Sequence, residues 1–181
     1  MFSFPVAFFS STGGETFYKP VSRAGSGLSG TNAYDGTGTP GTTTTAATLN
    51  SLATGNTARY ETYTFSGATA YTKFKLYLTY DWESNPFTDL YNDEYYGILG
   101  IEYSLNGTTW VNAPAYPEVG GGSTTYADPI DLGTLASTTI TNFKVRFAAQ
   151  STRFIYDEND PFTYSYATCG FTIRDVYIGA Q

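Results

Sequence analysis

Tyr71-Thr72-Lys73-Phe74-Lys75-Leu76-Tyr77-Leu78-Thr79-Tyr80 decides the fold. In an extended chain Phe74, Leu76 and Leu78 fall on one face, and Lys73, Lys75 and Tyr77 on the other. Side chains alternate across a strand with a period of two, so this segment reads as a strand with one buried face. The same period recurs on both sides of it. Ile98 to Leu105 aligns Leu99, Ile101, Tyr103 and Leu105; Thr139 to Ala148 sets Phe143, Val145 and Phe147 inward and Lys144 and Arg146 outward; Arg59 to Phe65 pairs Tyr63 with Phe65. In the closing segment Phe171 and Ile173 share one parity while Val176 and Ile178 share the other, which predicts a bulge near Arg174-Asp175. Asn106-Gly107 predicts a hairpin turn, because both residues accept positive φ, with Thr108 to Val111 opening the partner strand. No segment carries helical periodicity of useful length. About eight strands separated by turn signals predict an all-β, two-sheet sandwich of the jelly-roll type.

Composition agrees. Seventeen Tyr and thirteen Phe stand among Thr and Gly, with one Met and 14% charged residues. Aromatics and Thr suit a pleated, half-buried surface, whereas the best helix formers are scarce. The formal net charge is −7 and no Lys/Arg run occurs, which argues against nucleic acid as a partner. No apolar run has the length of a membrane-spanning helix. The opening Met1 to Phe9 is apolar, lacks a basic start and is broken by Pro5, so it reads as a strand or docking arm and not as a signal peptide. The single cysteine, Cys169, lies within a strand pattern and reads as a buried structural thiol; its solitude leans toward synthesis in the cytoplasm.

Residues 1–58 differ from residues 59–181. Between Ser22 and Asn56 the chain is rich in Gly, Ser and Thr and can bury little surface of its own. It reads either as a flexible linker or as an extended N-terminal arm that gains order on a neighbour. The expected organisation is therefore an arm over 1–58 with short strands, and a jelly-roll sandwich over 59–181.

Tyr80-Asp81-Trp82-Glu83-Ser84-Asn85-Pro86-Phe87-Thr88 returns, shortened, as Tyr156-Asp157-Glu158-Asn159-Asp160-Pro161-Phe162-Thr163. Each copy reads as a strand end, a polar loop broken by Pro, and a return into a strand carrying Gly100 or Gly170. Two such units predict two aromatic, acidic loops at one end of a sandwich, with a contact surface of Trp82, Phe87, Tyr91, Tyr156, Phe162 and Tyr164. Flat rings there could stack on sugars, anchor a protein interface or belong to the core, and the sequence alone does not separate the three.

Two local patterns carry a resemblance. Asn32-Ala33-Tyr34-Asp35-Gly36-Thr37 resembles the turn that opens discoidin-like and related carbohydrate-binding β-sandwiches, and Tyr103-Ser104-Leu105-Asn106-Gly107-Thr108-Thr109-Trp110 resembles a hairpin of the same sandwiches, whose aromatic packs on the core. Phe171 to Ile178 is similar to their last strand. Similar jelly-roll modules recur in tailed-phage virion proteins, both tail fibres and capsid decoration proteins. The resemblance implies a sandwich more firmly than it implies sugar binding.

The chemistry is narrow. With no histidine, Ser-His-Asp and Cys-His systems and His-based metal sites are excluded, and no phosphate-binding loop motif occurs. A carboxylate pair for glycoside hydrolysis could draw on Glu83, Asp89, Glu94, Asp157 or Glu158, all in segments that read as solvated turns. Asp81, Glu83 and Asn85 alternate, as do Asp157 and Asn159 with Asp160 beside them, a spacing open to calcium, but they read first as turn caps, and no metal or other cofactor is expected. The resulting expectation is a non-enzymatic virion structural protein of a tailed phage: a capsid decoration or cement protein, made in the host cytoplasm, homo-oligomeric, and bound to capsid or other virion proteins. The alternative is a carbohydrate- or receptor-binding sandwich, for example of a phage tail.

Overall fold

The computed structural model describes residues 14–25, 28–29, 47–50, 58–88, 94–114, 122–126, 129–157 and 160–181. In chain order the strands are β1 (Thr16–Tyr18), β2 (Ser22–Gly25), β3 (Leu28–Ser29), β4 (Ala47–Asn50), β5 (Arg59–Thr64), β6 (Ala70–Asn85), β7 (Phe87–Thr88), β8 (Glu94–Tyr95), β9 (Ile98–Ser104), β10 (Val111–Asn112), β11 (Gly122–Tyr126), β12 (Ile130–Thr139), β13 (Lys144–Gln150), β14 (Thr152–Asp157) and β15 (Asp160–Ala180). The only helical element among the described residues is a 3-10 turn, Ile140–Asn142. One sheet runs β11-β6-β15-β4-β3, with β12 also on β6 and with β1 and β14 also on β15; the second runs β10-β9-β13-β5-β2; β7 and β8 form a small ribbon. Every pairing is antiparallel. The chain is an all-β sandwich of two antiparallel sheets.

The alternation read from the sequence fixes which faces meet. Phe74, Leu76, Leu78, Tyr80 and Trp82 of β6 point into the core, as do Leu99, Ile101 and Tyr103 of β9 and Val145, Phe147 and Ala149 of β13. Two aromatic groups join the sheets. Phe147 meets Tyr63, Tyr80 and Phe171 edge-on at centroid distances of 6.1, 5.6 and 5.1 Å. Phe143 meets Phe65, Phe74 and Tyr103 at 6.3, 5.4 and 6.2 Å. The bulge expected near Arg174 is present: the β15–β6 register shifts between Ile173 and Asp175, so that Phe171, Ile173, Val176 and Ile178 are all buried.

Three local expectations change. The first repeat copy is not a loop after Tyr80-Asp81: β6 continues to Asn85, paired with β15 on one side (Glu83 with Gly170) and β11 on the other (Trp82 with Thr124). Its charged residues simply alternate outward, and the ladder ends at Pro86, which has no N–H to donate. The second copy is a tight hairpin in which Asp157 of β14 faces Asp160 of β15. Asn106-Gly107 does not make a two-residue turn, because β9 and β10 first pair at Tyr103 and Val111. Instead Asn106 Oδ1 accepts from the backbone N–H groups of Thr108 (2.9 Å) and Thr109 (2.8 Å), and Gly107 takes φ of +78°.

Within residues 1–58, four strands belong to the sandwich's own sheets. β1 pairs with the end of β15, β2 with β5, and β3 with β4, which pairs in turn with β15. The remainder of that region, apart from residues that flank these strands, lies outside the described residues.

Cys169 is buried, and its thiol lies 3.4 Å from the carbonyl oxygen of Ile98. Gly97 passes directly above it: a Cβ there would lie 2.6 Å from Sγ and 3.1 Å from the backbone oxygen of Gln150. Gly97→Ala should therefore cost about 1–3 kcal/mol through overpacking. Chemical denaturation checks this, and the pair Gly97→Ala with Cys169→Ala should recover part of the loss, since the smaller side chain clears the sulfur.

Candidate functional site

The residues expected to form a paired-loop surface are placed as follows. Trp82 is 8% exposed and packs in the core on the inward face of β6. Phe87 pairs through its backbone with Tyr95, Tyr164 pairs with Ile155, and Tyr156 and Phe162 lie in β14 and β15; the side chains of these four and all of Tyr91 fall outside the described residues. β7 lies against β15. Of the oxygen ligands considered, Asp81 takes two hydrogen bonds from Arg174, one of them from Nε at 2.9 Å, and Glu83 is exposed on β6. Asp157 and Asp160 are cross-strand neighbours, and Asn159 lies outside the described residues, as do Asp89 and Glu158. Among the described residues no cluster of three or more Asp, Glu or Cys is placed to hold a metal ion.

A different arrangement stands on the outer face of the five-stranded sheet. Register places Thr62 of β5, Arg146 of β13 and Glu102 of β9 in one cross-strand row. Arg146 Nε donates to Glu102 Oε2 at 2.5 Å. Its guanidinium carbon lies 4.3 Å from the Tyr60 ring centroid and 4.0 Å from that of Trp110, so the cation is held between two rings. Arg146 and Glu102 are each 19% exposed, and Ala148 and Gly100 form the next row beside Tyr60. The Asn106 loop brings Trp110 back over the sheet, where it packs on Arg146 from outside and not, as the hairpin resemblance implied, on the core. The planar guanidinium suits this position: it stacks and keeps its carboxylate bond in one plane.

The second polar arrangement is a cleft on the outer face of the eight-stranded sheet. It is lined by Glu15, Lys73, Phe74, Lys75, Asp131, Gly133, Thr134, Gly179 and Gln181, and holds about 250 Å³. Glu15 accepts from Lys75 Nζ at 2.7 Å and from the Tyr77 hydroxyl at 2.5 Å. Burial alone would raise the Glu15 carboxyl, but the hydrogen bonds from Lys75 and Tyr77 outweigh it and hold the group below its ordinary range. Burial and the bond to Glu15 push the Tyr77 hydroxyl up to about 12. Gly179 allows this packing, since a Cβ there would lie 2.7 Å from the Tyr77 ring and 3.0 Å from Glu15 Oε2.

Neither arrangement was assembled by sequence reasoning, although Trp110 and the outward Arg146 were each visible. Joining them needs the register between β9 and β13, which alternation does not supply. Comparisons with protein-family models, with curated proteins and with solved structures find no match for this chain.

Proposed function

We propose that this chain is a non-enzymatic virion structural protein of a tailed phage, a capsid decoration or cement protein that binds capsid subunits and sister copies through a sandwich of jelly-roll type. The observation that carries the reading is Arg146 held between Tyr60 and Trp110 on an outer sheet face. Arg, Tyr and Trp are the residue types that dominate protein–protein hot spots, and here they are already ordered, so little side-chain freedom is lost on association. The outward charges are tied to one another on both sheets: Arg146 with Glu102 on the five-stranded sheet, and Arg174 with Asp81 and Lys75 with Glu15 on the eight-stranded one. That suits a surface built for lasting contact better than one built to transfer protons. In this reading the Gly/Thr-rich stretch of sequence between β3 and β4 joins the partner contact.

Binding of purified protein to capsid shells that lack it tests the reading. Arg146→Ala should weaken binding at least about tenfold, the scale of a hot-spot truncation, measured where circular dichroism shows the variant folded, since it also loses the bond to Glu102. Replacing 30–46 by a short turn, which keeps the β3–β4 pair, should do the same. Unaltered affinity in both variants would refute the proposal. Attachment to tails in place of shells would favour the carbohydrate- or receptor-binding alternative.

A further inference from the structure

The cleft beside Glu15 lies on the opposite sheet from Arg146 and is independent of the reading above. Its walls are built by two departures from regular strand geometry. The β12–β6 register shifts between Asp131 and Thr134, with Gly133 at φ of +74°, so the edge strand bends away from β6 at that point. A Cβ added at Gly133 would meet nothing within 4 Å. On the other side Gly179 lets Glu15 and the Tyr77 ring close over β15.

The polar groups are fixed in advance. Glu15 is held by Lys75 and Tyr77, and Asp131 Oδ1 accepts from the Gly133 N–H at 2.7 Å. Carboxylate oxygens accept more than one hydrogen bond, so both groups keep acceptor capacity toward the cleft. Lys73 and Thr134 are exposed at its rim and supply donors, and the Lys73 ammonium has no partner among the described residues. Two carboxylates face two ammoniums, so the cleft exerts no net pull on an ion, and an ion of either sign meets a like charge inside it. A ligand whose groups both donate and accept satisfies all four. The volume of about 250 Å³ falls below the range of pockets that take drug-sized ligands, which limits the occupant to one small unit. From this geometry we propose that the cleft binds a neutral polyhydroxyl ligand, a single monosaccharide residue free or at the end of a glycan.

The test is a titration of the isotope-labelled full chain with glucose, galactose, mannose and N-acetylglucosamine in turn, and with inorganic phosphate in parallel, followed by amide chemical shifts. At least one sugar should give saturable millimolar binding, with shifts centred on Glu15, Lys73, Lys75, Asp131 and Thr134. Asp131→Asn should weaken it at least tenfold. Because Asp131 also holds the bulge, Thr134→Trp, which fills the cleft from an exposed position, serves as a second variant and should abolish the shifts. The proposal is overturned if none of the four sugars saturates, if binding survives Thr134→Trp, or if phosphate saturates the same amides more tightly than any sugar. None of these outcomes bears on the Arg146 face.

Discussion

Arg23→Met should cost more stability at pH 8 than at pH 5, by up to about 1.4 kcal/mol. The reason is Glu61, a fully buried carboxyl on the inner face of β5, whose cation is Arg23 of the edge strand β2. Burial raises the Glu61 carboxyl, Arg23 and the Tyr63 hydroxyl lower it, and the balance leaves it at about 7. That lies above its value in an unfolded chain, so the folded state holds the proton more tightly. The stabilisation from this group is complete below about pH 4.5, and is lost as pH rises through 7. The native chain should thus weaken between pH 5 and 8, by on the order of 3 kcal/mol at about 1.4 kcal/mol per unit. Without Arg23 the carboxyl must stay protonated to remain buried, an extra cost that sets in only as pH passes the native value of about 7. Glu61→Gln should flatten the pH dependence. Urea unfolding at the two pH values checks both variants, and an equal loss from Arg23→Met at pH 5 and pH 8 would show that the ion pair is not what holds β2.

Phe147→Ala should destabilise by about 3–5 kcal/mol. This ring sits between the sheets, fully buried, with Tyr63 beside it on β5 and Tyr80 and Phe171 across the core. Truncation removes three edge-on aromatic contacts and leaves a cavity that two paired sheets cannot close without breaking register. Ser137→Ala, on the exposed part of β12, should stay within about 0.5 kcal/mol. A Phe147→Ala loss no larger than that of Ser137→Ala would mean that the two sheets are not packed through this residue.

The contrast between these sites shows what alternation can reveal. The inward faces of β6, β9 and β13 were legible because Phe, Leu, Ile and Val recur at period two against Lys and Arg. The bulge at Arg174 was legible for the same reason, as a change of phase. Within residues 1–58, where short strands were expected, β2 was not: Ser22-Arg23-Ala24-Gly25 has no apolar member beyond Ala24, and is held by ladder bonds and one buried ion pair, which leave no periodic trace. The extension of β6 through Asp81 and Glu83 was obscured by charge, although Trp82 shares the parity of Phe74, Leu76, Leu78 and Tyr80, and that parity alone assigns it to the core. Site geometry was hidden more deeply. Arg146, Glu102, Tyr60 and Trp110 come from three strands and a loop, and Glu15, Lys75 and Asp131 from three segments far apart in sequence. Each group depends on register between strands, which is a property of the pairing and not of any one segment.

The proposed contact surface in an assembled particle is the outer face of the five-stranded sheet. A cryo-electron microscopy map of the intact virion tests it most directly. The account predicts this sandwich on the capsid, with Tyr60, Trp110 and Arg146 against a capsid subunit or a sister copy. A sandwich whose Arg146 face is turned to solvent, or a particle without the chain on its capsid, would contradict it.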